Sequence, residues 1–149
     1  MNKYVRFGAM VGTSTVVMLF LMYLNTYAID HIFFSETRFY MAFVMGAVMA
    51  VIMLLFMTSM LDNWKINAGI IVGSILLFAG SLWLVRSQAT VEDVSWMKAM
   101  IPHHSIAILT SERADISDPR VKKLANEIIE AQRKEIEEMK RLIQDLENR

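Results

Sequence analysis

The chain contains no cysteine, two prolines and three histidines among its 149 residues. It therefore forms no disulfide and presents no thiolate to a metal, which leaves soft ligation to its 13 methionines. The lack of thiols suits an oxidising compartment without selecting one. Formal net charge is zero, and residues 90–149 balance 10 basic against 12 acidic side chains, so no basic face points to nucleic acid. No Glu-x-x-His pair is present, which removes the pattern that di-iron sites draw from facing helices. No nucleophile–base set and no paired carboxylates stand out from the surface charge, and no catalytic activity is expected.

Charge is also scarce along much of the chain. Residues 1–89 carry eight of the 30 charged side chains, and residues 90–149 carry the other 22. Three runs have none: 7–29, 39–61 and 66–85. At about 1.5 Å per helical residue, each is long enough to cross a hydrocarbon core of about 30 Å. The expected fold is all-α, with three transmembrane helices in residues 1–89 and a soluble helical hairpin in residues 90–149. Lys3 and Arg6 precede the first run as in a signal peptide, but the run is too long and lacks a small-x-small site, so a retained helix is expected. Tyr23, Tyr27, Phe39, Tyr40, Trp64 and Trp83 stand where interface anchors belong. Lys3, Arg6 and Lys65 against Arg38 and Arg86 give a slight basic excess on the N-terminal side. That excess places the N-terminus in the cytoplasm and the hairpin outside it, on a multi-pass protein of the cell (inner) membrane.

Inside the spans, Gly8-x-x-x-Gly12, Gly46-x-x-x-Ala50 and Gly69-x-x-x-Gly73 are candidate faces for close helix contact. Met41, Met45, Met49, Met53 and Met57 recur every fourth residue. They define a slowly winding stripe about 24 Å long. Such a stripe is either a thioether path for Cu(I) or a flexible packing surface. In the first loop, Asp30, His31 and Glu36 are either an entry site for a metal or ordinary interfacial polar residues, and Ser35 is a candidate cap for the second helix.

Thr90-Val91-Glu92-Asp93 resembles a capping box, so a helix is expected to begin there and run to about residue 114, bending at Pro102. Asp118 and Pro119 mark the start of the next helix, expected to reach about residue 147. Its apolar stripe runs from Val121 to Leu146. One such hairpin buries too little apolar surface to stand alone, which predicts a homodimeric four-helix bundle. The chemistry concentrates in Trp96-Met97-Lys98-Ala99-Met100-Ile101-Pro102-His103-His104. At about 100° per residue, Met97, Met100 and His104 share one helix face, and His103 falls beside it. Two thioethers and an imidazole favour Cu(I) over zinc, with Met139 of the next helix as a further donor. The same residues can equally fill a helix-packing core.

Asp93-x-x-Trp96-Met97-x-x-Met100-Ile101-Pro102-His103-His104, followed by Asp118-Pro119, Leu124-Ala125, Ile128-Ile129, Gln132, Glu135-Ile136 and Met139, resembles the domain of unknown function 305 family over residues 90–146. The resemblance implies a ferritin-like helical hairpin, generally outside the cytoplasm, and in some members copper binding through Met and His linked to copper tolerance. Leu24-Asn25-Thr26-Tyr27, Asp30-His31 and the Met-rich second span resemble a three-span, membrane-anchored subgroup. Two positions depart from the family pattern: Leu109 stands where many relatives carry Met, and Trp96 where Phe or Tyr is usual. The expected function is Cu(I) capture or buffering at the outer face of the bilayer, with Met97, Met100, His103, His104 and Met139 as ligands. The competing expectation is a metal-independent structural or interaction module. Haem ligation by Met and His lacks an attachment motif in this chain.

Overall fold

Asparagine at position 2 opens the first helix by accepting the Tyr4 backbone N–H at 3.0 Å, satisfying one of the donors that a helix start leaves free. The computed structural model describes residues 2–149, and among them every regular element is helical. The order is α1 (Lys3–Leu21), a short 3-10 turn (Ile29–His31), α2 (Glu36–Phe56), α3 (Trp64–Ser87), α4 (Asp93–Arg113) and α5 (Pro119–Glu147). They divide into two compact units. One comprises residues 2–22 with Thr37–Thr90; the other comprises Tyr23–Glu36 with Val91–Arg149.

In the first unit, α1, α2 and α3 are 19, 21 and 24 residues long and apolar enough to cross a membrane, as expected of a membrane protein. Phe7, Ala50, Leu54 and Leu61 form its core, with Met53 and Met57 packed against them. All five methionines of the second-span stripe are half-buried, and these two serve packing. Gly46 lets α2 approach α1 closely: a Cβ there would lie 2.4 Å from Thr15 Oγ1. Around Gly8, Gly12, Gly69 and Gly73, by contrast, a Cβ would meet nothing within 4 Å. Those two motifs, expected as contact faces, instead line an open apolar groove of about 720 Å³ together with Ala47 and Ala50. Polar contacts join the ends of helices: Lys3 Nζ to Asp62 Oδ1 at 2.8 Å, Tyr4 Oη to Asn67 Oδ1 at 3.0 Å, and Arg38 Nη1 to the Met22 carbonyl at 2.6 Å. The last places a cation on the negative end of α1.

Three helix boundaries differ from expectation, one of them the end of the second helix, at Phe56 rather than near residue 61. The first helix ends at Leu21 rather than near residue 29, because residues 23–36 leave it to pack with the hairpin. The fourth begins at Asp93, and Thr90 is not its cap: the Thr90 hydroxyl lies 2.8 Å from Tyr40 Oη instead.

The second unit is the antiparallel pair α4 and α5. Asp118 caps α5 as expected, accepting the Arg120 N–H at 2.8 Å, with Pro119 at the first helical position. α4 remains helical through the buried Pro102, whose ring nitrogen leaves the Lys98 carbonyl without its usual partner. Met97, Ile101 and Ile108 of α4 meet Ile136, Met139 and Ile143 of α5 in a continuous core. The spacing of three and four residues on both helices follows from the 3.6-residue turn. Burying each of these isoleucines contributes about 1.5–3 kcal/mol.

Candidate metal site

Each of the five residues singled out by their chemistry lies in the hairpin unit. Met97 and Met139 are among its most buried side chains, and Met100 packs against the same cluster. The three thioethers are thus gathered around one apolar core. His104 is half-buried on the α4 face that carries Met97 and Met100. Lys98 pairs with Glu147, and His104 lies beside Glu135, on the two antiparallel helices of the hairpin. Met139 of α5 belongs to the same cluster as Met97 and Ile101 of α4. His103 is exposed, its ring centroid 6.1 Å from that of His104.

The His104 ring is the electrostatic singularity of the site. Its Nδ1 is buried and lies 3.1 Å from Glu135 Oε2, yet it makes no hydrogen bond. At so short a distance this means the carboxylate lies off the line of the ring N–H. Burial pushes the His104 pKa below its ordinary value; His103 adds to the shift and Glu135 opposes it. The imidazole therefore stays neutral, and able to bind a metal, to a lower pH than the sequence alone suggests.

His31 joins this unit against expectation. It is buried there, with Nδ1 2.9 Å from the Oγ of the fully buried Ser105. Burial pushes its pKa down, Asp30 and Glu137 oppose the shift, and Lys140 adds to it. Of the three candidate ligands in this region, Asp30 bonds Lys140 at 2.5 Å and lies 4.0 Å from His31 Nε2, His31 Nδ1 meets Ser105, and Glu36 accepts from Ser95 at 3.2 Å. A signal for the His31–Ser105 pair does exist. Ser105 is a polar residue at i+4 and i+8 from Ile101 and Met97, on the buried face of α4, and so requires a partner.

Among the described residues, no three His, Asp or Glu side chains come together in an arrangement that holds a metal ion. Met97, Met100 and Met139 instead share one apolar cluster. Comparison with known proteins gives the same region prominence. The family described as a domain of unknown function, DUF305, matches residues 84–148. Over 109 residues the chain is 34% identical to the uncharacterized protein L153 of Acanthamoeba polyphaga mimivirus, covering 72% of this chain and 70% of that one. The chain belongs to the DUF305 family. Likeness to the viral protein is longer than the family match and so takes in part of the apolar unit as well. No solved structure matches the chain.

Proposed function

We propose that this DUF305 protein is a membrane-anchored Cu(I)-binding protein that captures or buffers copper and turns over no substrate. The observation that carries the reading is the buried Nδ1 of His104, which makes no hydrogen bond to the Glu135 carboxylate 3.1 Å away. It stands on the helix whose Met97 and Met100 share an apolar cluster with Met139. Thioethers are soft, neutral donors that suit Cu(I), and a neutral imidazole completes a set with no net charge to desolvate. The exposed His103 offers a second imidazole at the surface.

Titration of Cu(I) against a competing chelator tests the assignment. Met97→Leu and Met100→Leu nearly conserve volume, so each should fold while costing less than about 1.5 kcal/mol of stability. Each, like His104→Ala, should weaken Cu(I) binding at least about tenfold, since even outer-shell changes at metal sites cost that much. Equal affinity in the parent and all three variants would sink the reading.

The proposal includes the location of the hairpin outside the cytoplasm, supported by the slight N-terminal excess of basic residues. Single cysteines at Asn2 and Gln144 test it, because an impermeant thiol reagent on intact cells should label the second and not the first. It also includes a homodimeric four-helix bundle. Val121, Leu124, Ile128, Leu142 and Leu146 form an exposed apolar row on α5 that a second copy would cover. That row also favours the second reading, a metal-independent interaction module. Metal content of protein purified with and without Cu(I) separates the two.

A further inference from the structure

The uncharged run that opens at Phe7 continues to Ile29, yet α1 stops at Leu21. From Phe7 to Leu21 the helix spans about 22 Å, less than a hydrocarbon core of about 30 Å. Such a shortfall thins the bilayer unless the chain that follows adds apolar surface at that depth. Residues 22–29 prolong the uncharged run outside any α-helix. No residue between Leu21 and Glu36 lies more than seven positions from α1 or α2, about 25 Å at full extension. Tyr23 and Tyr27, of a type enriched at bilayer interfaces, belong to this loop.

The loop turns large apolar side chains outward. Leu24 is 77% exposed and Ile29 88%. Past the 3-10 turn the backbone is extended at Ile32, and successive side chains alternate. His31 and Ser35 are buried and Phe33 packs against the hairpin core, whereas Ile32 and Phe34 are exposed. Over 31–35, polar groups inside and apolar ones outside reverse the order expected of a loop in water. The backbone is also satisfied from within. Thr26 N–H donates to the Tyr23 carbonyl, Tyr27 N–H to Ser105 Oγ, and Ser35 N–H to Tyr23 Oη. His31 and Ile32 N–H groups bond the Ala28 and Ile29 carbonyls, both at 3.1 Å. Irregular backbone at membrane depth needs such protein partners, because lipid offers none.

We propose that residues 24–34 are a lipid-binding loop seated in the headgroup–acyl boundary of the bilayer, with Leu24, Ile29 and Ile32 as lipid-facing side chains. A lipid surface fits better than a protein partner because the loop is tied at both ends to helices of membrane-spanning length. Tyr23 Oη closes its base on Ser35, and Arg38 bonds the Met22 carbonyl just outside it. His31 and Phe33 hold the hairpin from the loop's other side. The place of the loop in lipid rests on the membrane-anchored reading and not on copper.

A chain without cysteine takes single labels cleanly. Leu24→Cys, Ile29→Cys and Ile32→Cys, with Leu76→Cys of α3 and Glu127→Cys of α5 as references, each receive a nitroxide in the full-length protein. All five positions are exposed, and circular dichroism should show the parent helix content; any two folded loop variants suffice. In vesicles of phosphatidylcholine and phosphatidylglycerol, relaxation by oxygen, which concentrates in lipid, is compared with relaxation by a water-soluble nickel chelate. The loop labels should favour oxygen and report a depth of about 5–10 Å, as surface-seated apolar segments do. Leu76 should lie deeper, and Glu127 should favour nickel. The proposal is overturned if the loop labels favour nickel while Leu76 favours oxygen, which leaves the spans as described. Poor access of both reagents to the loop overturns it as well, since protein would then cover these side chains. If Leu76 itself favours nickel, the membrane-anchored reading falls and the lipid-binding loop with it.

Discussion

The two units of this chain solve the packing problem with opposite materials. In the hairpin, apolar side chains turn inward: Ile101, Ile108 and Ile136 are buried, while Lys, Arg and Glu crowd the outer faces of α5. Among α1, α2 and α3 many large apolar residues turn outward, as Phe20, Phe56, Trp64, Leu76 and Trp83 do, and the inner contacts combine Phe7, Leu54 and Leu61 with the small Ala47, Ala50 and Gly46. Water drives the first arrangement through the hydrophobic effect. Hydrocarbon around the second provides no such drive, so close approach of small residues and a few polar contacts must hold the helices. Ion pairs follow the same division. Most of those observed belong to the hairpin unit; in the apolar unit Lys3 and Asp62 pair near the helix ends.

This contrast can be broken most directly in the hairpin core. Ile101→Ala opens a cavity at a position with no exposure and should cost about 2–5 kcal/mol of hairpin stability. Proteolysis should then cut α4 and α5 while α1 to α3 stay intact in detergent; unchanged resistance of the hairpin would contradict the packing described.

A smaller effect should appear in the apolar unit, and it should depend on which glycine is changed. Gly46→Leu drives a side chain into Thr15 and should cost about 1–3 kcal/mol, the usual range for overpacking. Gly12→Leu projects into open space and should be tolerated. Thermal unfolding in one detergent compares the two, and equal behaviour would mean that close approach does not hold α1 to α2.

Acid provides the mildest test. All three histidines of the sequence lie in the hairpin unit, and burial depresses the pKa of both His31 and His104. Below about 6.5 the unfolded chain takes up protons that the folded hairpin refuses. Stability is therefore complete above that pH and falls as pH drops toward the depressed values. Melting at pH 7.5, 6.5 and 5.5 should show the hairpin midpoint falling and the apolar unit unmoved. His31→Asn together with His104→Asn should flatten the slope.

Much of this architecture is legible in the sequence, because helix-forming patterns are local. The three uncharged runs correspond to three helices, and Asp118-Pro119 marks the start of α5 at the residue observed. The gathering of Met97, Met100 and Met139 follows from spacing along two helices. Less legible is α5, where Val121 to Leu146 reads as one stripe. Tertiary contact splits it into a buried row of Ala125, Ile136, Met139 and Ile143 and an exposed row of Val121, Leu124, Ile128, Leu142 and Leu146. Periodicity defines an apolar sector and not which edge of it meets a given partner.

Sequence by itself determined which segments are helical and which of them suit lipid or water, since a period of 3.6 residues and the presence or absence of charge are properties of neighbours in the chain. It also determined that any soft metal donor must be methionine. Only tertiary structure decided that residues 23–36 fold with the hairpin, that His31 meets Ser105 74 positions away, and that His104 faces Glu135 without a hydrogen bond. These pairings join residues far apart in the chain. A polar side chain announces that it needs a partner when buried, but which partner it meets depends on how separate elements pack, and no local pattern carries that information.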